Sequence, residues 1–332
     1  MGTGEWAQFH RRIPVRDYAT LAHTFTAKNF DADRITDLAC EVGMRYVTLV
    51  ACHHEGFALW GSPSEPFNSV NACGRDLVGE MAQQCARKGL GFFTYYTFML
   101  NWRYPHFLSP EIFRMARPHY TRPQPEYLSD DVEGFRKHYV PYMLGHLREL
   151  LTGYGPLAGM WLDIIMAYYL RPDLVPVRAA YDLIRQLQPA TLLCYKQGAT
   201  GEEDFATPEH RFQSLAEAAG KMGGEAAARR ADAAWEKNRH KHNEICTTLQ
   251  KGGPWGWKAE AEHASADEVW AMLAHAHAHN CNLLANVGPL ADGSLHPEDV
   301  AALREVGRRV RVHGWPGPEE ATLPGAPDGA AQ

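Results

Sequence analysis

Several things are missing from this 332-residue chain. No apolar run approaches the roughly 18 residues that cross a bilayer. Residues 1–12 lack the apolar core of a secretory leader, so a cytoplasmic protein without a membrane partner is the expectation. No surplus of positive charge is present. The net charge of −6 argues against nucleic acid or an anionic surface as a partner. The seven cysteines are odd in number and none forms a CxxC pair, which suggests reduced thiols rather than a disulfide framework. Cys40, Cys85, Cys194 and Cys281 lie in apolar surroundings and read as buried hydrophobes. No strand-like run is followed by GxGxxG, which removes the usual nucleotide-binding reason for a Rossmann sheet, the rival α/β architecture. HExxH is absent too. His275, His277 and His279 fall on a helix, where residues two apart face opposite sides, so they read as structural.

The composition, 45% hydrophobic and 22% charged, suits one large domain with a large core. Apolar spacing predicts helices over 32–42, 76–87, 130–151, 177–187, 266–279 and 297–312, with Asp31 and Ser265 as N-caps and Gly43 as a C-cap. Between them, 45–51, 90–96, 155–163, 191–196, 245–249 and 281–287 read as strands. Strand and helix alternate in units of about 40 residues, which makes the class α/β with a parallel sheet. Six strands are counted; an eight-stranded barrel is inferred. Residues 103–128, rich in Pro and aromatics, read as a long loop lining a mouth. Residues 212–241 read as a solvated helical insertion. The Pro/Gly/Ala-rich end reads as a disordered tail, 316–332, after a domain of 1–315.

The run Gly155 to Asp163 is apolar until its last residue, and a carboxylate at the C-terminal end of a barrel strand stands where catalytic groups are mounted. Taken alone, Asp163 reads sooner as a solvated strand end or a helix cap, the commoner uses of Asp. His53 and His54 directly follow the strand 45–51 and could bind metal, transfer protons or donate to hydroxyls. Glycoside hydrolysis needs two carboxylates, and Glu209 and Glu244 both qualify as the partner of Asp163. The 9 Trp, 14 Tyr and 17 His supply flat, hydrogen-bonding side chains of the kind sugar sites use. Of these, Trp60, Trp102, Trp161, Trp255 and Trp257 fall at or near the expected mouth.

These motifs, in order, resemble the α-L-fucosidases of glycoside hydrolase family 29. Glu5-Trp6 is similar to the family's early EW pair, and Cys52-His53-His54-Glu55-Gly56-Phe57 to its KHHDGF signature. Arg75-Asp76, the Gly91-to-Tyr96 strand with Trp102, and Trp161-Leu162-Asp163 resemble RD, GxYYSxxxW and WxD. Glu203-Asp204-Phe205 through Pro208-Glu209 resembles EDFxxPE, Glu244 to Trp257 resembles WExCxTxxxxWGY, and Leu284 to Gly293 resembles LLNVGPxxDG. The resemblance implies a (β/α)8-like TIM barrel and retaining hydrolysis of a fucosylated glycan or small fucoside, without metal or other cofactor. Asp163 would be the nucleophile, with Glu209 or Glu244 as acid/base. Glu5, Trp6, His53, His54, Tyr96, Trp161, Lys196 and Trp255 would bind the sugar, Lys196 where many relatives carry Arg. Two departures stand out. Relatives begin with a strand of the type FGxFxHWG and many end in a β-sandwich; neither is in this sequence. An irregular barrel lacking its first strand is therefore expected, with self-association through the open edge. A glycan-binding barrel that has lost catalysis is the second reading. A metal-dependent hydrolase using His53 and His54 is the third.

Overall fold

Among the described residues six parallel strands form the inner layer: β1 (Tyr46–Cys52), β2 (Gly91–Tyr96), β3 (Gly159–Leu162), β4 (Leu192–Tyr195), β5 (Asn243–Thr248) and β6 (Cys281–Asn286). The computed structural model describes residues 4–322. β1 to β4 pair in sequence order, and β5 pairs with β6. Residues 204–210 join the two sheets. On one side Asp204 N and Thr207 N donate to Leu193 O and Lys196 O, both at 2.8 Å; on the other Glu244 N donates to Ala206 O at 3.0 Å and His210 N to Cys246 O at 2.8 Å. The result is one curved wall, as the resemblance implies for a barrel.

Outside it lie α1 (Ala32–Val42), α2 (Leu77–Lys88), α3 (Val140–Gly153), α4 (Ile165–Leu170), α5 (Val177–Leu187), α6 (Ala216–Asn238), α7 (Ala266–Ala278) and α8 (Pro297–His313). Their ends follow the local chemistry. Asp31 and Asp76 accept from the N–H of Arg34 and Gly79, and Ser265 forms a reciprocal capping box with Glu268. Gly43 and Gly89 close α1 and α2 in the left-handed conformation.

Strand alternation sorts side chains between two cores. Phe92, Tyr96, Met160 and Leu162 point outward into the layer beneath the helices. Phe93, Tyr95, Trp161, Cys194, Phe205 and Cys246 fill the interior. Gly159 is required here, since a Cβ on it would lie 1.8 Å from Cε1 of Phe93.

Four expectations are refined. The helix expected over 130–151 runs on from Val132 to Gly153 with helical backbone at each junction, but it widens into a π turn at Phe135–Tyr139 before α3. Pro141 has no N–H for the helical ladder and crowds the carbonyl four residues back, which the wide turn accommodates. α6, two helical runs that meet at a kink at Gly224 (φ 72°), is not merely solvated: Ala227, Ala231, Ala234 and Trp235 of its second run are buried along one face. Cys40 is exposed and Cys281 half-buried. Within the expected tail, Pro318–Thr322 forms a 3-10 turn packed on α7, where Trp270 Nε1 donates to Glu320 at 2.8 Å; residues 323–332 lie outside the described residues.

Between β6 and β1 the wall is open. Among the described residues each of these strands is paired on one side only. α1 packs between α8 and α2, and its Leu38 and Val42 face the opening. A cavity of about 1170 Å³ runs from the mouth into this slot, past Val47, Val50, Leu284 and Val306. Unpaired parallel edges with apolar side chains invite association. Val50 is 39% exposed within the slot. The chain is expected to self-associate with rising concentration, and Val50→Lys to reduce that association. Size-exclusion chromatography with light scattering measures it, and a wild type monodisperse at every concentration would rule out use of the edge.

Candidate active site

The C-terminal ends of the strands carry the charged groups. Asp163 follows β3 directly and is 7% exposed. The Tyr95 hydroxyl donates to its Oδ2 in a short hydrogen bond. Its Oδ1 accepts from Ile164 N at 2.5 Å and lies 3.5 Å from Nζ of Lys196. His54 Nε2 is 3.9 Å from Oδ2. The carboxylate is thus held in place by a phenol, an amide and an ammonium, with an imidazole nearby.

Lys196 follows β4 and also ion-pairs with Glu209, so one ammonium touches both carboxylates. Burial alone would push the lysine pKa down, but Asp163 and Glu209 outweigh it and hold the group charged. Nζ stands 4.9 Å from the Trp161 ring and 5.9 Å from the Trp255 ring. Ile164, Lys196 and His210 all have positive φ, at 65°, 46° and 60°. Non-glycine residues in this region are strained. Here all three stand at the mouth, in or beside Asp163, Lys196 and Glu209.

His53 and His54 turn the end of β1 toward the same space, their rings 3.7 Å apart. His54 Nδ1 meets Thr97 Oγ1 at 2.6 Å. Burial, with His53 and Lys196 beside it, pushes the His54 pKa well below the ordinary value, so it is neutral at pH 7. His53 is also buried, which works against its charged form, yet the hydrogen bond and charge of Glu55, with Glu5 and Asp163, raise it overall. Trp6 packs edge-on against His54 at 5.2 Å and Trp102 at 5.0 Å.

Of the residues singled out from the sequence, Trp6, His53, His54, Trp161, Asp163, Lys196, Glu209 and Trp255 line this one cavity. Tyr96 does not. It points outward and its hydroxyl bonds His146 Nδ1 at 3.0 Å, because adjacent strand residues face opposite sides. Tyr95 takes the place expected of it and stacks on Trp161 at 5.2 Å. The alternation of Phe93 and Tyr95 against Phe92 and Tyr96 was the available signal, but both sides are aromatic and the pattern alone does not say which face is inner. Glu5 uses one carboxylate oxygen on the backbone, accepting from Trp255 N at 3.0 Å and Gly256 N at 2.7 Å, and so fastens the aromatic loop to the mouth. Trp60 is core, donating to Glu149. Among the described residues no three His, Cys, Asp or Glu side chains are grouped to hold a metal, and no helix is long and apolar enough to cross a membrane.

Glu244 lies not on a strand-end loop but near the start of β5, inside the barrel and 3% exposed. Tyr46 donates to one carboxylate oxygen and Trp161 Nε1 to the other at 3.1 Å. It therefore anchors the indole that faces the cavity. Burial raises its pKa, against the opposing effect of these donors. A carboxyl raised in the fold contributes stability that is full below its unfolded pKa and lost as pH rises through the folded value. Glu244→Gln is expected to raise Tm at about pH 7.5 and to give little gain near about pH 4, close to the unfolded value. Thermal melts at the two pH values check this, and an equal shift at both would contradict a buried charge.

The family described as Alpha-L-fucosidase matches residues 4–315. The plasma alpha-L-fucosidase of Rattus norvegicus is 28% identical over 320 residues, covering 91% of this chain and 59% of that protein. The tissue alpha-L-fucosidase of Mus musculus is 34% identical over 111 residues, covering 33% of this chain and 24% of its own length. The chain thus spans well under two thirds of either relative. Among solved structures, alpha-L-fucosidase isoenzyme 1 from Paenibacillus thiaminolyticus superposes with a TM-score of 0.72 at 27% identity, covering 94% of this chain and 70% of that one.

Proposed function

Because this chain belongs to the alpha-L-fucosidase family, we propose that it hydrolyses terminal α-L-fucosides with retention of configuration. The observation that carries this reading is the single ammonium of Lys196, which touches both Asp163 and Glu209 at the mouth. Two carboxylates gathered on one cation at the mouth supply the pair that glycoside hydrolysis needs, and retention is what the family resemblance implies for them. Asp163 attacks the anomeric carbon while Glu209 gives its proton to the leaving oxygen. Water, deprotonated by Glu209, then attacks the fucosyl ester and frees Asp163. Tyr95 positions the nucleophile. Neutral His54 and the indole of Trp161 offer a polar edge and an apolar face to the sugar ring. Glu244, enclosed beneath Trp161, is assigned to holding that indole rather than to proton transfer.

The test is hydrolysis of 4-nitrophenyl α-L-fucoside followed by NMR. Release of the α anomer of fucose first is the expected result. Release of the β anomer, or no turnover with fucose still bound, would replace this reading with inversion or with glycan binding alone.

A further inference from the structure

The three histidines at the end of α7 do not share one face. His277 points away from the other two, and its Nδ1 donates to Pro316 O at 2.7 Å. His275 and His279 are four residues apart, so they stand on the same side of the helix. Their rings are 4.5 Å apart and tilted by 53°. His279 is exposed, with Phe212 beside its ring at 5.1 Å. Its Nδ1 donates to His275 O at 2.9 Å, which fixes the tautomer and leaves the Nε2 lone pair for another partner.

His275 has the complementary feature. Its Nε2 is shut off from solvent and has no hydrogen-bond partner among the described residues, whereas a buried ring nitrogen normally has one. Burial, with His279 and Arg211 beside it, holds the His275 pKa below the ordinary value, so the ring is neutral at pH 7. Neutral imidazole is the form that binds metal.

The spacing of the rings fits a chelate. Metal–nitrogen bonds of about 2.0–2.1 Å meeting at about 90–110° put two imidazole centres about 4.5–5.2 Å apart. The observed 4.5 Å is the value for a right angle, the geometry of octahedral or square-planar ions.

We propose that His275 and His279 chelate one late first-row divalent cation through their Nε2 atoms, with water in the remaining positions. The site lies where α7 gives way to the start of β6, at the opposite end of the wall from Asp163 and Lys196, and the proposal is independent of the fucoside reading. Two further features support it. A backbone carbonyl on the second ring nitrogen, as His279 has, is the usual orienting contact of a metal-bound histidine. The C-terminal end of a helix also favours positive charge. The charge of Arg211 works against a cation here, so the two imidazoles supply the affinity. Cys281 gives its thiol to His279 O at 3.3 Å and is not counted as a ligand. A bound ion ties down the last turn of α7 and stabilises the folded chain by mass action.

The experiment is isothermal titration with NiCl2 alone, paired with thermal melts in excess Ni²⁺. The wild type is expected to bind Ni²⁺ and to gain in Tm. His279→Ala, a change on the exposed side of the helix, is expected to weaken binding by about tenfold or more and to remove the gain, since one of the two ligands is lost. His275→Ala should do the same; should it fail to fold, His279→Ala carries the test alone. His277→Ala should keep both the binding and the gain in Tm. Binding should weaken between about pH 7.5 and about pH 5.5, as protons compete for the same nitrogens. A wild type that binds no Ni²⁺, an unchanged affinity in His279→Ala, or an equal loss in His277→Ala would overturn the proposal.

Discussion

Asp163→Ala is expected to lower turnover of aryl α-L-fucosides by about 10⁴-fold or more, while fucose binding changes little. The size of the effect follows from the role: a nucleophile divides one difficult displacement into two easier ones, and its loss removes that route entirely. The structure adds why the loss should be confined to kcat. Asp163 is held by Tyr95, Ile164 N and Lys196, and the surfaces that would grip the sugar, His54 and Trp161, have anchors of their own in Thr97 and Glu244. Removing the carboxylate leaves them in place. Azide, small enough to occupy the vacated space, should restore part of the activity and yield β-fucosyl azide. Wild-type-like turnover in Asp163→Ala would end the assignment.

Glu209→Ala should lower kcat/KM for the disaccharide of α-L-fucose on N-acetylglucosamine by about 10²–10⁴-fold, the range of a lost general acid. The loss should be much smaller for 4-nitrophenyl α-L-fucoside, whose leaving group departs without a proton. With that substrate the second step becomes limiting, and azide should give α-fucosyl azide, the opposite anomer to that from Asp163→Ala. Glu244→Gln should show none of this dependence on leaving group, because its carboxylate is enclosed by Tyr46 and Trp161. If instead Glu244→Gln discriminated between the substrates and Glu209→Ala did not, the two roles would have to be exchanged.

The chain's local chemistry determined most of the scaffold. Asp31, Asp76, Ser265, Gly43 and Gly89 mark helix ends through their own hydrogen-bonding and backbone preferences, and apolar spacing marks the helices between. It also brought Asp163 and the His53-His54 pair into view, because each directly follows an apolar run and a strand's end is a local property; Lys196 entered only through the family resemblance. Which face of a strand is inner is not local. Tyr95 and Tyr96 are the same residue type on a strand buried on both sides, and only closure of the wall assigned one to Asp163 and the other to His146. Glu244 looked like a loop carboxylate until pairing with β6 put it within the barrel, where Tyr46 from β1 and Trp161 from β3 could reach it. The partnership of Asp163 with Glu209, 46 positions later, is likewise a product of packing: no short-range pattern encodes which distant side chains will share one ammonium.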